Sequence, residues 1–187
     1  MVMATDARRW TVEMLRQLPD DGNRYEIIDG ELLVSAAPSW DHGAVVADLH
    51  LLIGPYVLRH RIGYTRIAPQ EVELGEATLV EPDLFVVPLV NGRRPRSWEE
   101  SRSLLLAVEV LSPSSAHWDR VVKRALYQSQ GVPEYWIVDI DARVVERWRP
   151  GESRPEILTD RLEWQPDPAC PPLVIDLEGF FASALGS

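Results

Sequence analysis

Leu104-Leu105-Leu106-Ala107-Val108-Glu109-Val110-Leu111 is an almost unbroken apolar run that carries a single acid. Apolar on consecutive positions rather than on alternate ones, it predicts a strand covered on both faces, deep inside a sheet. Pro113-Ser114-Ser115 then introduces a helix reaching about Gln130, which Gly131 closes and Pro133 prevents from resuming. Glu134 to Ile140 and Ala142 to Arg149 read as a strand pair that turns near Asp139-Ile140-Asp141-Ala142. A buried strand, a helix and a further strand pair in succession point to helices packed on a sheet.

Upstream, Tyr64 to Leu74 and Thr78 to Pro88 read as two strands, separated from the buried run by a polar loop, Asn91 to Arg102. Before them, Ser39 can cap a helix whose stripe is Val45, Val46, Leu49, Leu52, Ile53, Tyr56 and Val57. Tyr25 to Val34 forms two β-rich runs joined by Asp29-Gly30, a two-residue hairpin signal. Trp10, Met14, Leu15 and Leu18 recur at helical spacing in a first short helix from Thr5 to Leu18. Downstream, Ile157 to Trp164 and Leu173 to Leu177 read as short strands and Phe180 to Leu185 as a terminal helix. The class is α/β (α+β): one domain over residues 1–187, a mixed central sheet flanked by helices, with an N-terminal helix and hairpin. Neither G-x-G-x-x-G nor G-x-x-x-x-G-K-[ST] occurs, so no dinucleotide or nucleoside triphosphate cradle is expected.

The 187 residues carry 19 basic against 29 acidic side chains, a net charge of −10. Bulk charge of that sign argues against passive coating of nucleic acid or an anionic membrane. Cys170 is the lone cysteine, which excludes an internal disulfide and a thiolate zinc cage. Met1 to Trp10 holds Asp6, Arg8 and Arg9 and no leader-like apolar run, and no membrane-spanning stretch is present, so a reducing, cytoplasmic location is expected.

A carboxylate inside an apolar strand costs several kcal/mol to desolvate unless it is paired, hydrogen-bonded or bound to a metal, so Glu109 needs a partner. Asp83 opens the preceding strand in Glu81-Pro82-Asp83-Leu84-Phe85. On the helix that follows Glu109, Trp118, Val121, Val122, Ala125 and Leu126 make the expected buried stripe. Asp119, Lys123 and Tyr127 then align at i, i+4 and i+8 on another face. Lys123 is the sole lysine among 18 arginines. A plain surface cation in this chain would be arginine, so a compact ammonium at this position suggests a chemical requirement.

Pro82-Asp83, Glu109-Val110-Leu111-Ser112-Pro113-Ser114-Ser115, Asp119-x-x-x-Lys123-x-x-x-Tyr127 and Gly131-Val132-Pro133-Glu134-Tyr135-Trp136-Ile137-Val138-Asp139 together resemble the Uma-type family of putative restriction endonucleases, within the PD-(D/E)XK nuclease superfamily. Tyr25 to Leu32 and Pro38-Ser39-x-x-x-His42 resemble it as well, so the likeness runs from about residue 24 to 149. It implies a restriction endonuclease-like core in which Asp83 and Glu109 hold Mg²⁺ (or Mn²⁺) and a lysine completes the catalytic set, with DNA as the substrate. The superfamily pattern puts that lysine two residues after the second acid, where this chain has Leu111. Lys123 would supply it from the helix instead.

Asp119 is then placed to hold the ammonium. Tyr127 reads first as a core-edge tyrosine and second as a phosphate contact. His42, in the first turn of the long helix, reads as a local hydrogen-bonder or a substrate-positioning group. Glu31, beside the hairpin turn, reads as a solvated residue or a supporting one. The loop arginines Arg93, Arg94, Arg96 and Arg102 suit phosphate contacts or plain solvation. Asn91 to Gln130 carries seven basic residues against four acids, so the acidity is expected to lie away from the segment that meets DNA. Binding would be modest, salt-dependent and metal-assisted. Two other readings stay open: a catalytically inactive binding module of the same fold, and a hydrolase of another phosphoester. A homodimer is suggested by analogy alone.

Overall fold

The computed structural model describes residues 9–186. The beginning of the expected first helix, residues 5 to 8, and most of the expected leaderless N-terminus lie outside them. The chain runs α1 (Val12–Leu15), β1 (Arg24–Ile28), β2 (Glu31–Ser35), α2 (Trp40–Arg59), β3 (Gly63–Ile67), β4 (Val72–Gly75), β5 (Thr78–Val80), β6 (Leu84–Pro88), α3 (Trp98–Ser101) and β7 (Leu106–Val110). A π-helical segment, Trp118–Lys123, leads into α4 (Arg124–Ser129), followed by β8 (Tyr135–Asp139), β9 (Val144–Trp148), β10 (Glu156–Leu158), β11 (Arg161–Trp164), β12 (Leu173–Asp176) and α5 (Leu177–Leu185).

The apolar run becomes β7, with all five residues buried, third from one edge of a six-stranded sheet ordered β10-β9-β8-β7-β6-β3. Only β7 and β8 are parallel; the other pairs are antiparallel, and the sheet is mixed as its sequence predicts. One face presents Leu84, Val86, Leu106, Val108, Val110, Trp136 and Val138 to the apolar stripe of α2 and to α5. The opposite face presents Phe85, Val87, Ala107, Tyr135 and Ile137 beneath the 118–129 helix. The hairpin turns at Asp29-Gly30, whose φ values of 52° and 84° suit a two-residue turn that needs left-handed backbone at both positions. Ser39 caps α2 through its side chain, which accepts from the His42 amide at 3.2 Å.

Three expected strands are broken. Tyr64 to Leu74 divides into β3 and β4, and Thr78 to Pro88 into β5 and β6, each pair split between the six-stranded sheet and a four-stranded sheet ordered β2-β1-β5-β4. The breaks fall at Pro69 and Pro82, which have no amide to continue a ladder. Ile157 to Trp164 also divides, at a bend over Thr159 and Asp160, into β10 on the large sheet and β11, which pairs only with β12. The break at Pro82 sends the chain from one sheet to the other immediately before Asp83.

Candidate active site

Strand alternation aims the first two acids. In β7, Ala107 and Glu109 point away from the α2 face, towards the 118–129 helix. Leu84 opposes Val108 in the antiparallel β6–β7 pair, and one further step along that register brings Asp83 opposite Glu109 on the same face. Asp83 Oδ2 accepts from the Val110 amide at 2.9 Å and lies 3.0 Å from His42 Nε2, and Oδ1 accepts from Arg24 Nη1 at 2.8 Å. Burial by itself would raise the Asp83 pKa, but His42, Arg24 and the amide outweigh it and hold the carboxyl at about 2.

The helix above Glu109 buries its charged stripe. Asp119, Lys123 and Tyr127 are each at most 1% exposed, whereas Val121 of the expected apolar stripe is 46% exposed. Trp118, Val122 and Leu126 are only partly buried at the margin of the core, and Ala125 faces solvent. The expected stripe is therefore corrected: what lies beneath this helix is Glu109, an anion, and the side chains drawn inward are those that can satisfy it. Lys123 Nζ sits 3.0 Å from Glu109 Oε1, 2.9 Å from Glu26 Oε2 and 3.6 Å from Asp119 Oδ1. Tyr127 donates its hydroxyl to Glu109 Oε1 at 3.3 Å. Tyr127 is fully buried, so it is neither at the core edge nor placed against a phosphate. Tyr135 in turn donates to the Asp119 carbonyl at 3.1 Å, tying the π-helical turn to β8.

Four carboxylates, Glu26, Asp83, Glu109 and Asp119, thus crowd two full cations, Arg24 and Lys123. Burial would lower the Lys123 pKa, but Glu109, Glu26 and Asp119 raise it well above the ordinary lysine value, so the ammonium is retained. Burial pushes the Glu109 carboxyl well above the ordinary range, opposed by Lys123 and reinforced by Asp83, Asp119 and Glu26. Among these groups negative charge is therefore in surplus.

These groups line one cleft of about 520 Å³, walled by the 35–39 segment, the start of α2, the β7–helix loop through Ser112 and Ser115, and the 139–141 turn. Three cations face seven carboxylates around it, so the cleft is acidic. This corrects the expectation from local charge. Of the seven basic residues between Asn91 and Gln130, only Arg120 and Lys123 line the cleft, and Arg120 is engaged by Asp139 and Glu146 at 2.8 and 2.6 Å. None of the loop arginines lines it.

Asp83, Glu109, Lys123, His42, Asp119 and Tyr127 come together at this centre. Glu31 does not: it is an exposed residue at the start of β2, outside the cleft lining. Sequence reasoning missed Arg24 and Glu26. Glu26, 1% exposed, accepts from the Glu81 amide at 2.8 Å while holding Lys123, and so couples the ammonium to the turn that carries Asp83. Its signal was the one that marks Glu109, an acid among buried β-residues in Tyr25-Glu26-Ile27-Ile28.

The donor set fits a hard divalent cation. Asp119 Oδ1 is buried without a hydrogen bond, and the carboxylates exceed the cations by the charge of one such ion. Among the described residues no three His, Cys, Asp or Glu side chains form a ready-made metal cage. Two opposed carboxylates with the remaining positions left to water is the arrangement magnesium favours, and Asp83 and Glu109 are the pair that could hold it.

A family model described as "Uma2: Putative restriction endonuclease" matches residues 12–178, beyond the 24–149 span recognisable from motifs. A crystal structure of a "putative nuclease belonging to DUF820" from Anabaena variabilis is similar to the chain with a TM-score of 0.74 at 19% identity, covering 94% of this chain and 99% of that one. The likeness establishes a restriction endonuclease-like fold. No curated protein matches the chain. Among the described residues, no helix is long and apolar enough to cross a membrane.

Proposed function

Because the chain belongs to the Uma2 family of restriction endonuclease-like proteins, we propose that it is a Mg²⁺-dependent endonuclease, also served by Mn²⁺, that hydrolyses DNA phosphodiester bonds in the acidic cleft. The observation that carries this reading is the opposition of Asp83 and Glu109 across β6 and β7, with the only lysine of the chain 3.0 Å from Glu109. Asp83 and Glu109 are the proposed metal-binding pair. The bound ion supplies Lewis acidity towards the phosphoryl oxygens and a water of lowered pKa.

Each protein group then has a defined task. Lys123 keeps its proton, so it serves as a fixed positive charge rather than a general base, and it fixes the orientation of Glu109. Tyr127 and Glu26 hold that ion pair from two further directions. Arg24 and His42 orient Asp83, and both line the cleft. One observation favours a second reading, a binding module of the same fold without turnover: Arg24 and His42 already engage both oxygens of Asp83.

Incubation of purified protein with supercoiled plasmid and Mg²⁺ separates the two. The nuclease reading expects nicked and linear product, lost on chelation and reduced at least ~100-fold in Glu109→Gln, beyond what outer-shell changes at metal sites cost. Plasmid left intact at every metal concentration, or cut equally by Glu109→Gln, contradicts it.

A further inference from the structure

Outside the cleft, five arginines collect along the edge strand β3 and the loop that follows β6. Arg66 and Arg94 both stack on the Tyr64 ring, with guanidinium carbons 5.0 and 4.8 Å from its centroid. Arg94 Nη1 donates to the Tyr64 hydroxyl at 3.2 Å, and Arg66 Nη2 to the Pro95 carbonyl at 3.4 Å. A Cβ on Gly92 would lie 3.8 Å from Arg61 Nη2, which places Arg61 beside the Asn91-Gly92 turn that presents Arg93. Arg96 follows in the same loop, and Arg61, Arg93, Arg94 and Arg96 are exposed.

None of the five makes an ion pair among the described residues. Seven other cations do: Arg16, Arg24, Arg120, Lys123, Arg147, Arg149 and Arg161. The neighbouring acids do not neutralise the group. Glu71 and Glu73 turn to Arg16, and Glu100 accepts from the Arg96 backbone. In a chain of net charge −10, this concentration of uncompensated cations calls for a polyanionic partner.

The position of the patch narrows the partner. Arg66 opposes Phe85 and Tyr64 opposes Val87, and the Ala68 amide donates to the Asp83 carbonyl at 3.2 Å. Arg66 and Tyr64 therefore share the sheet face of Asp83, one strand across. At ~3.3 Å per residue and ~4.8 Å per strand, their backbones lie ~8 and ~14 Å from it, a separation of two to four base-pair steps at ~3.4 Å each. We propose that Arg61, Arg66, Arg93, Arg94 and Arg96 around Tyr64 form a docking surface for the phosphate backbone of duplex DNA. It captures the substrate beside a cleft whose own acidity repels it. The choice of duplex DNA rests on the nuclease reading; the surface itself rests on the arginines. Stacking on Tyr64 holds two guanidinium groups in place beforehand, so less side-chain freedom is lost on binding.

Fluorescence anisotropy with a labelled duplex in chelator tests the surface without the metal. Wild type is expected to bind at low salt, and Arg93→Glu/Arg94→Glu/Arg96→Glu to bind at least ~10-fold more weakly, with the salt slope reduced by about one per lost phosphate contact. Arg161→Glu, on the separate β11–β12 hairpin, should bind as wild type. Arg93→Gln/Arg96→Gln, which leaves the Tyr64 stack untouched, reports the same direction should the triple variant fail to fold.

Absence of wild-type binding, equal binding by the variants, or stronger competition by RNA than by duplex DNA would overturn the proposal. Plasmid nicking reports the other reading separately. Variant-sensitive binding without nicking retains the surface and removes the nuclease, whereas nicking by the triple variant at unchanged KM does the reverse.

Discussion

Lys123 is the residue whose removal should matter most to folding, because it leaves Glu26, Glu109 and Asp119 buried around a missing charge. Lys123→Met is expected to destabilise the protein by about 3–5 kcal/mol, the cost of stranding buried partners, in chemical denaturation. A loss under about 1 kcal/mol would show that the cluster is hydrated rather than dry.

Glu109→Gln should act in the opposite sense, raising metal-free stability by about 1 kcal/mol at neutral pH while abolishing cleavage, since it relieves the surplus of negative charge. The pH dependence carries the sign. Glu109 holds its proton well above the ordinary carboxylate value of 4.5, so its contribution is complete below that value and is lost as pH rises through its raised folded value. Asp83, with a folded value of about 2 against 3.8, contributes above 3.8 and loses that contribution as pH falls towards 2. Melting temperature should therefore decline from mildly acidic to alkaline pH in wild type and flatten in Glu109→Gln; parallel curves would sink this assignment. Glu109 was legible from sequence because an acid stands out in Leu106-Ala107-Val108-Glu109-Val110. Glu26 carries the same signature but sits beside a hairpin turn, where a half-exposed strand is the ordinary reading, and nothing local marks Arg24.

The 118–129 helix shows how tertiary context overrides an apolar pattern. Its aliphatic residues outline one stripe and its polar residues another, and the polar stripe is the one buried, because the facing strand presents a carboxylate. Val121→Ser should change stability by no more than about 0.5 kcal/mol, as for other exposed positions, whereas Tyr127→Phe should cost about 1 kcal/mol through the hydrogen bond to Glu109. Equal costs in a denaturant titration would restore the aliphatic face as the buried one.

The strands are a mixed case. β7 and β8 follow from nearly continuous apolar runs, and β9 from the short turn that pairs it with β8. The division of the upstream strands between two sheets was signalled locally by Pro69 and Pro82, but which sheet each half joins depends on long-range pairing that no local pattern records. Gly63 has a comparable long-range cause: a Cβ there would collide with the Val87 carbonyl oxygen across β3 and β6. Gly63→Ala should cost about 1–3 kcal/mol through that overpacking, measured by thermal unfolding.

At the scale of the whole molecule, the two sheets, the long α2 and the π-helical turn converge to seat a carboxylate-rich centre in an acidic cleft. Five arginines that make no ion pair among the described residues gather instead on the β3 edge and its loop. The class of fold was legible in one apolar strand and its neighbours, while Glu109 stood out as an acid out of place, Lys123 as a lysine without companions, and Asp83 through the motif Pro82-Asp83 that resembles the family's. Their packing around Glu26 and Arg24 was not, because β1 reaches the site only through a second sheet. The central claim is that Asp83 and Glu109 jointly bind a divalent ion, and a crystal soaked in Mn²⁺ with anomalous data tests it most directly. The account predicts one anomalous peak between these carboxylates, ~2.0–2.2 Å from an oxygen of each. A saturating soak with no peak there, and with Arg24 and His42 still bonded to Asp83, would contradict it.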